Sequence, residues 1–188
     1  GPIEGLMQQG QQLTERGHQV ETLSLDAPGV GLDPRLQGRL VHLLGPAKLG
    51  YGYAPRLAGW LREHAQEYDC IVIHGMWQYH GYCAAKVCRA LGVPYVVFLH
   101  GMLDPWFNKR YPLKKLKKWL YWPWAEYRVL RDARYVLFTT AEELRLARES
   151  FWLYRARERL VGYGIQARTL AIGSAREVFL EQFPALRG

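Results

Sequence analysis

Read as a string of apolar and polar positions, the chain alternates two patterns. Short apolar runs recur at Val20–Leu25, Leu40–Leu44, Cys70–Ile73, Tyr95–Leu99, Tyr135–Phe138 and, more weakly, Leu160–Tyr163. Each has the length of a strand and is too short for a helix. The Cys70–Ile73 and Tyr95–Leu99 runs do not alternate, as expected of parallel strands covered on both faces. Helical patterns fill Ile3–Arg16, Tyr79–Leu91 and Ala141–Ser150. Gly17 and Gly92 stand as stops for the first two. Thr140 is placed to cap the third, with Glu143 three residues on to complete a capping box. Strand alternating with helix, punctuated by glycine stops, predicts an α/β fold: a doubly wound, mostly parallel, Rossmann-like sheet.

The stretch around residues 112–130 reads differently. Leu113, Leu116, Trp119 and Leu120 share one helix face, Lys114, Lys115 and Lys118 point away from it, and Lys117 flanks it. Two readings follow. The apolar stripe packs on the core beneath a solvated lysine face, or the basic amphipathic helix lies on anionic lipid. Pro123 predicts a kink or a restart, with Trp124, Tyr127 and Leu130 continuing inward.

Composition narrows the class. With 188 residues, 49% hydrophobic and 22% charged, the chain has ordinary globular make-up and suits one main domain. No apolar run reaches the roughly 20 residues of a spanning helix. The opening GPIEGLMQQGQQL lacks the basic flank and apolar stretch of a signal peptide. Cys70, Cys83 and Cys88 are expected to be free thiols in a reducing, cytoplasmic compartment. The six histidines form no H-x-x-x-H or Cys/His cluster, so no metal is expected. A net charge of +8 calls for an anionic partner: nucleotide, phospholipid surface, acidic polymer or nucleic acid. No DNA- or RNA-recognition motif accompanies that charge, which sets nucleic acid aside.

Candidate chemistry lies in two stretches of the same shape, CIVIHGMW (Cys70–Trp77) and VVFLHGMLDPWF (Val96–Phe107). In each, an apolar run ends in His-Gly-Met. Ligands of a doubly wound sheet sit beyond the carboxyl ends of its strands. His74 and His100 are therefore expected on one functional edge, lining one cleft. The plainer reading is that each caps its strand and bonds a neighbouring carbonyl.

These pieces resemble a family. GP before the first helix, LTERGHQVETLSLD (Leu13–Asp26), YDCIVIHGMW, LGVPYVVFLHGMLDPW, AEYRVLRDARYVLFTTAEE and LVGYGI (Leu160–Ile165) follow the order of the N-terminal domain of a family-4 glycosyltransferase. That family has the GT-B fold, two Rossmann-like domains facing across a cleft. The similarity covers about Gly1 to Ile165 and lies nearest to enzymes of bacterial surface-polysaccharide assembly.

The resemblance implies a retaining transfer from a nucleotide sugar, with no metal or other cofactor, to a saccharide or lipid-linked acceptor. It implies that His100 bonds the transferred sugar and that Gly1 belongs to a loop approaching the donor phosphates. His74, Trp77, Asp104 and Trp106 would line the acceptor side. It divides the chain into a domain over 1–165 and, over 166–188, the approach to a donor-binding domain. The acceptor-side half alone is expected to be inactive. Lys114, Lys115 and Lys118 would meet the inner face of the plasma membrane. The family's first strand precedes the position of Gly1-Pro2, so Val20–Leu25 and Cys70–Ile73 are expected to flank an empty lane. The competing function is a non-catalytic basic and aromatic module that binds anionic lipid or polymer.

Overall fold

The computed structural model describes residues 2–29, 36, 38–106, 112–162 and 172–186. Helix α1 (Pro2–Glu15) stops at Gly17, which takes φ 88°. Strands β1 (Thr22–Ser24) and β2 (Val41–Leu43) pair in parallel, Thr22 against Val41. After α2 (Pro55–His64), strand β3 (Ile71–His74) leads into α3 (Tyr79–Leu91) and β4 (Tyr95–Phe98). Helices α4 (Pro112–Tyr121) and α5 (Glu126–Asp132) precede β5 (Tyr135–Phe138), α6 (Ala141–Arg148), β6 (Glu158–Leu160) and α7 (Ile172–Gln182). Strands β3 to β6 form an all-parallel sheet in sequence order, with His74 opposite Phe98. The α/β class and the parallel sheet agree with the periodicity of the chain.

Strand β1 does not pair with β3. The two sheets are tied just before those strands, where Tyr68 Oη donates to Glu21 Oε2 at 2.5 Å and His42 Nε2 lies 2.7 Å from the same oxygen. The separation of Val20–Leu25 from Cys70–Ile73 is as expected. One consequence departs from expectation. β4 is closely covered, with Val97, Phe98 and Leu99 buried, but Val72 in β3 is 43% exposed. Being an edge strand, β3 is covered on the Ile73 side by α3, where Gly81 lies close to Ile73, and not on the Val72 side.

Helix α2 was not among the expected elements. Its signals are Pro55 at the first turn and a row of Leu57, Leu61 and Ala65, all buried. Gly92 caps α3 in the left-handed conformation at φ 72°, its N–H donating to Cys88 O, as its position suggested. Of the three free cysteines, Cys83 and Cys88 are buried and Cys70 is exposed.

Of the two readings of the α4 stripe, packing on the core is not the one observed: Leu116, Trp119 and Leu120 are exposed. The inward face is that of Lys118 and Trp122. Trp122 is fully buried, stacks on Phe151 at 4.6 Å, and donates its indole N–H to Trp152 O at 2.8 Å. Burying an indole that has both area and a partner outweighs burying two leucines, so it sets the rotation of the helix. The side chains of Leu113, Lys114 and Lys115 lie outside the described residues, as does Tyr163. Beyond Pro123 the chain restarts as α5. There Leu130 is buried as expected, while Trp124 is exposed, against the inward course expected of it.

Candidate active site at the carboxyl edge of the sheet

Strand β3 ends at His74, and Gly75 turns the chain at φ 86°. Gly75 N–H still donates to Phe98 O at 2.8 Å. A side chain at this glycine would meet Met102 Cε at 3.3 Å, so the turn needs glycine for its conformation and for its space. Trp77 adopts φ 69°, a left-handed conformation that costs a bulky residue about 1–3 kcal/mol. Two bonds hold it there. Its backbone N–H donates to Glu126 Oε1 at 2.8 Å, and its indole N–H donates to Met102 O at 3.3 Å. Glu126 comes from α5 and is 1% exposed. Burial raises its carboxyl to about 7, against the lowering effects of the Trp77 N–H and the nearby Lys118.

After β4, His100 is itself left-handed at φ 51° and Gly101 follows at φ 74°. Glu143 holds this turn from α6. Its Oε1 accepts from Gly101 N–H at 2.7 Å, and its Oε2 accepts from Thr139 N–H and Thr139 Oγ1, both at 2.8 Å. Half of the expected capping box is present: Thr140 Oγ1 accepts from Glu143 N–H at 3.0 Å. The other half is redirected, because the Glu143 carboxylate bridges the exits of β4 and β5.

The two turns bring His74 and His100 together. Their rings stack at 5.3 Å, and His74 Nδ1 lies 3.0 Å from His100 Nε2. Phe98 stacks on both, at 5.8 Å and 4.7 Å, on the face of the sheet opposite α3. Burial lowers the His74 imidazole to about 4, with His100 and His80 adding to the effect. His100 is lowered by burial too, partly offset by Glu143. Both rings are therefore neutral at pH 7, and they share one proton between them. If that proton belongs to His74, the outer nitrogen of His100 donates and that of His74 accepts; if it belongs to His100, the two roles exchange. A neutral pair of this kind suits hydroxyl groups better than it suits anions. A third histidine serves the backbone of this strand end: His80 Nε2 donates to His74 O at 2.9 Å.

Trp77 joins this cluster through Met102. Asp104 stands apart. Its Oδ1 accepts from Trp106 N–H at 2.8 Å, and it borders a neighbouring cavity of about 220 Å³ with Gly101, Thr140 and Glu143. Trp106 is exposed. Lys118 is half-buried with its ammonium 4.5 Å from the Trp77 ring centroid, a cation–π contact that points it toward the core rather than outward. Gly1 lies outside the described residues. Glu126, Glu143, Met102 and His80 were not singled out as site residues. For Glu143 the signal was available in its capping position; Glu126 carried none.

Among the described residues, no three His, Cys, Asp or Glu side chains converge to hold a metal ion. A comparison with characterised proteins returns no match. A family comparison does. Residues 1–164 match the glycosyl transferase 4-like domain, and the chain belongs to that family.

Proposed function

We propose that this domain is the acceptor side of a retaining, nucleotide-sugar-dependent glycosyltransferase of polysaccharide or glycolipid synthesis. The bacterial surface-polysaccharide pathways are the nearest setting, and the cytoplasm is the compartment. In the reaction, the bond from the anomeric carbon to the nucleotide phosphate breaks and a bond to an acceptor oxygen forms on the same face. The acceptor's hydroxyl proton leaves with the phosphate, and no metal or other cofactor takes part.

The observation that supports this reading most is the neutral His74–His100 pair at the carboxyl edge of the sheet. His100 bonds a hydroxyl of the transferred sugar, and His74 orients His100. Trp77, with Lys118 over its ring and Phe151 against it, backs the acceptor side, where the exposed Trp106 offers an aromatic surface and Asp104 a carboxylate. By family resemblance, Gly1 approaches the donor phosphates. Residues 1–165 form the acceptor-side domain, and in this family the donor is gripped by a second domain.

The test is transfer from a panel of nucleotide sugars to oligosaccharide and lipid-linked acceptors by the chain joined to a donor-binding domain. The anomeric configuration of the product is read by NMR. Retained configuration that depends on His100 is expected. Inversion, or transfer indifferent to His100, overturns the reading.

A further inference from the structure

The outward face of α4 has no role in the reading above. Leu116 is 62% and Leu120 69% exposed, one turn apart on the same row. Trp124 continues that row beyond the helix and is exposed as well. Beside them, Trp119 stacks on Trp152 at 6.1 Å, and both indoles are accessible. Leu153 completes the patch. It is held at φ 60°, a conformation that leucine rarely adopts, with half its surface exposed. Six large apolar side chains thus share one side of the molecule, a grouping that marks an interaction surface.

Charge indicates what covers it. Between Pro112 and Tyr121 the helix carries lysines at 114, 115, 117 and 118 and no acidic residue, in a chain of net charge +8. A second copy would bring the same positive helix to the contact. An anionic bilayer brings opposite charge to the lysines, hydrocarbon to the leucines, and a headgroup zone in which indoles settle.

We infer that the outward face of α4, with the Phe151–Leu153 turn, is a membrane-insertion surface. It places Leu116, Leu120 and Leu153 below the headgroups of an anionic bilayer and Trp119, Trp124 and Trp152 among them. The surface charge expected of Lys118 is not part of this device, because that ammonium turns inward to Trp77. The inward turn adds a consequence that rests on the proposed transferase reading. Trp77 lies across α4 from the bilayer, about one helix diameter of roughly 10 Å away. An acceptor carried on a lipid therefore has its headgroup delivered toward the β3 exit, which carries His74 and Trp77.

The test needs no turnover, so its failure is distinguishable from failure of the transferase reading. The purified chain is titrated with phosphatidylcholine vesicles containing roughly one third phosphatidylglycerol, and with phosphatidylcholine alone. The double variant Leu116→Ser, Leu120→Ser is run beside it; both positions are exposed, and far-UV circular dichroism checks that the fold is kept. Anionic vesicles are expected to bind the parent chain, and lipids brominated along the acyl chain to quench its tryptophan fluorescence. Affinity is expected to fall about tenfold or more in the double variant. Equal binding by parent and variant, or binding without quenching, would reduce the contact to charge adsorption and overturn insertion. A parent chain that ignores vesicles and self-associates through the same leucines would assign the face to a second copy instead.

Discussion

His74-Gly75-Met76 and His100-Gly101-Met102 share a tripeptide, a glycine turn and a place at the end of a parallel strand, yet they are built differently. After β3 the chain turns back into the protein. Met76 is buried, and both N–H groups of Trp77 are taken, one by the buried Glu126 and one by Met102 O. After β4 the turn borders a cavity and is held by Glu143 from outside the core. The histidines differ accordingly. Burial holds His74 at about 4, while His100 takes the left-handed backbone and gains an opposing influence from Glu143. One exit is a support and the other is the part it presents. What separates them is which acid each turn engages, an acid contributed in both cases by a later helix.

The largest test of that asymmetry is turnover. His100→Ala is expected to remove a bond made to the reacting sugar, costing about 2–4 kcal/mol, or about 30- to 1,000-fold in kcat, by analogy with lost oxyanion donors. His74→Ala acts only through His100 and is expected to cost less. Rates measured on the chain joined to a donor-binding domain decide the matter; equal losses in the two variants would mean that the exits share one role.

Next in size is the acid that serves the β4 exit. Glu143→Ala leaves Gly101 N–H, Thr139 N–H and Thr139 Oγ1 without their acceptor. The expected cost is about 2–3 kcal/mol in urea unfolding, with Glu143→Gln recovering part of it. A loss below about 0.5 kcal/mol would show that solvent replaces those bonds and that the turn does not depend on α6.

These two acids also mark how far the sequence could be read. The histidines were legible because an apolar run ending in His-Gly at a parallel strand exit has one place to go, the carboxyl edge. Glu143 was half legible: Thr140 three residues before it gives the cap, but its reach to Gly101 depends on β4 and β5 being neighbours. Glu126 was not legible at all, since one glutamate in AEYRVL reads as a solvated helix residue. Only the packing of α5 against α3 and Trp122 brings it inside. The rotation of α4 stayed open between two readings for a related reason. The leucine row and the Lys118–Trp122 row were both present in sequence, and the choice between them rested on Phe151 and Trp152, thirty residues away.

The support role of His74 can also be sharpened by acid. His74, His80 and His100 are all held below the ordinary imidazole value by burial, so the folded chain binds fewer protons than the unfolded chain in mild acid. Their stabilising contribution is complete above about pH 6.5 and is lost as the pH falls toward about 4. A lower urea midpoint at pH 5 than at pH 7.5 is expected. In His74→Phe, which keeps a ring against Phe98, that slope should flatten. An unchanged slope would mean that His74 titrates as freely in the folded chain as in the unfolded one.

The smallest effect isolates Glu126. Its carboxyl is raised to about 7 by burial, so the folded state keeps a proton that the unfolded chain loses near pH 4.5. Relative stability is therefore greatest below that pH and is lost as the pH rises through about 7, where the buried group must ionise. This runs opposite to the histidines, which lets Glu126 be separated from them by pH alone. Glu126→Gln keeps an oxygen for Trp77 N–H and cannot ionise. At pH 5 the parent side chain is mostly neutral and nearly isosteric with glutamine, so little change is expected. At pH 8 the variant avoids a buried carboxylate and should melt a few degrees higher. Lys118 sets the size of that gain, since its ammonium over the Trp77 ring also stabilises the ionised carboxyl. Lys118→Met should accordingly widen the difference at pH 8. If Glu126→Gln instead melts lower at pH 8, the carboxylate is stabilised by its Trp77 and Lys118 contacts beyond its cost of burial, and the β3 exit is held by charge rather than by a neutral hydrogen bond.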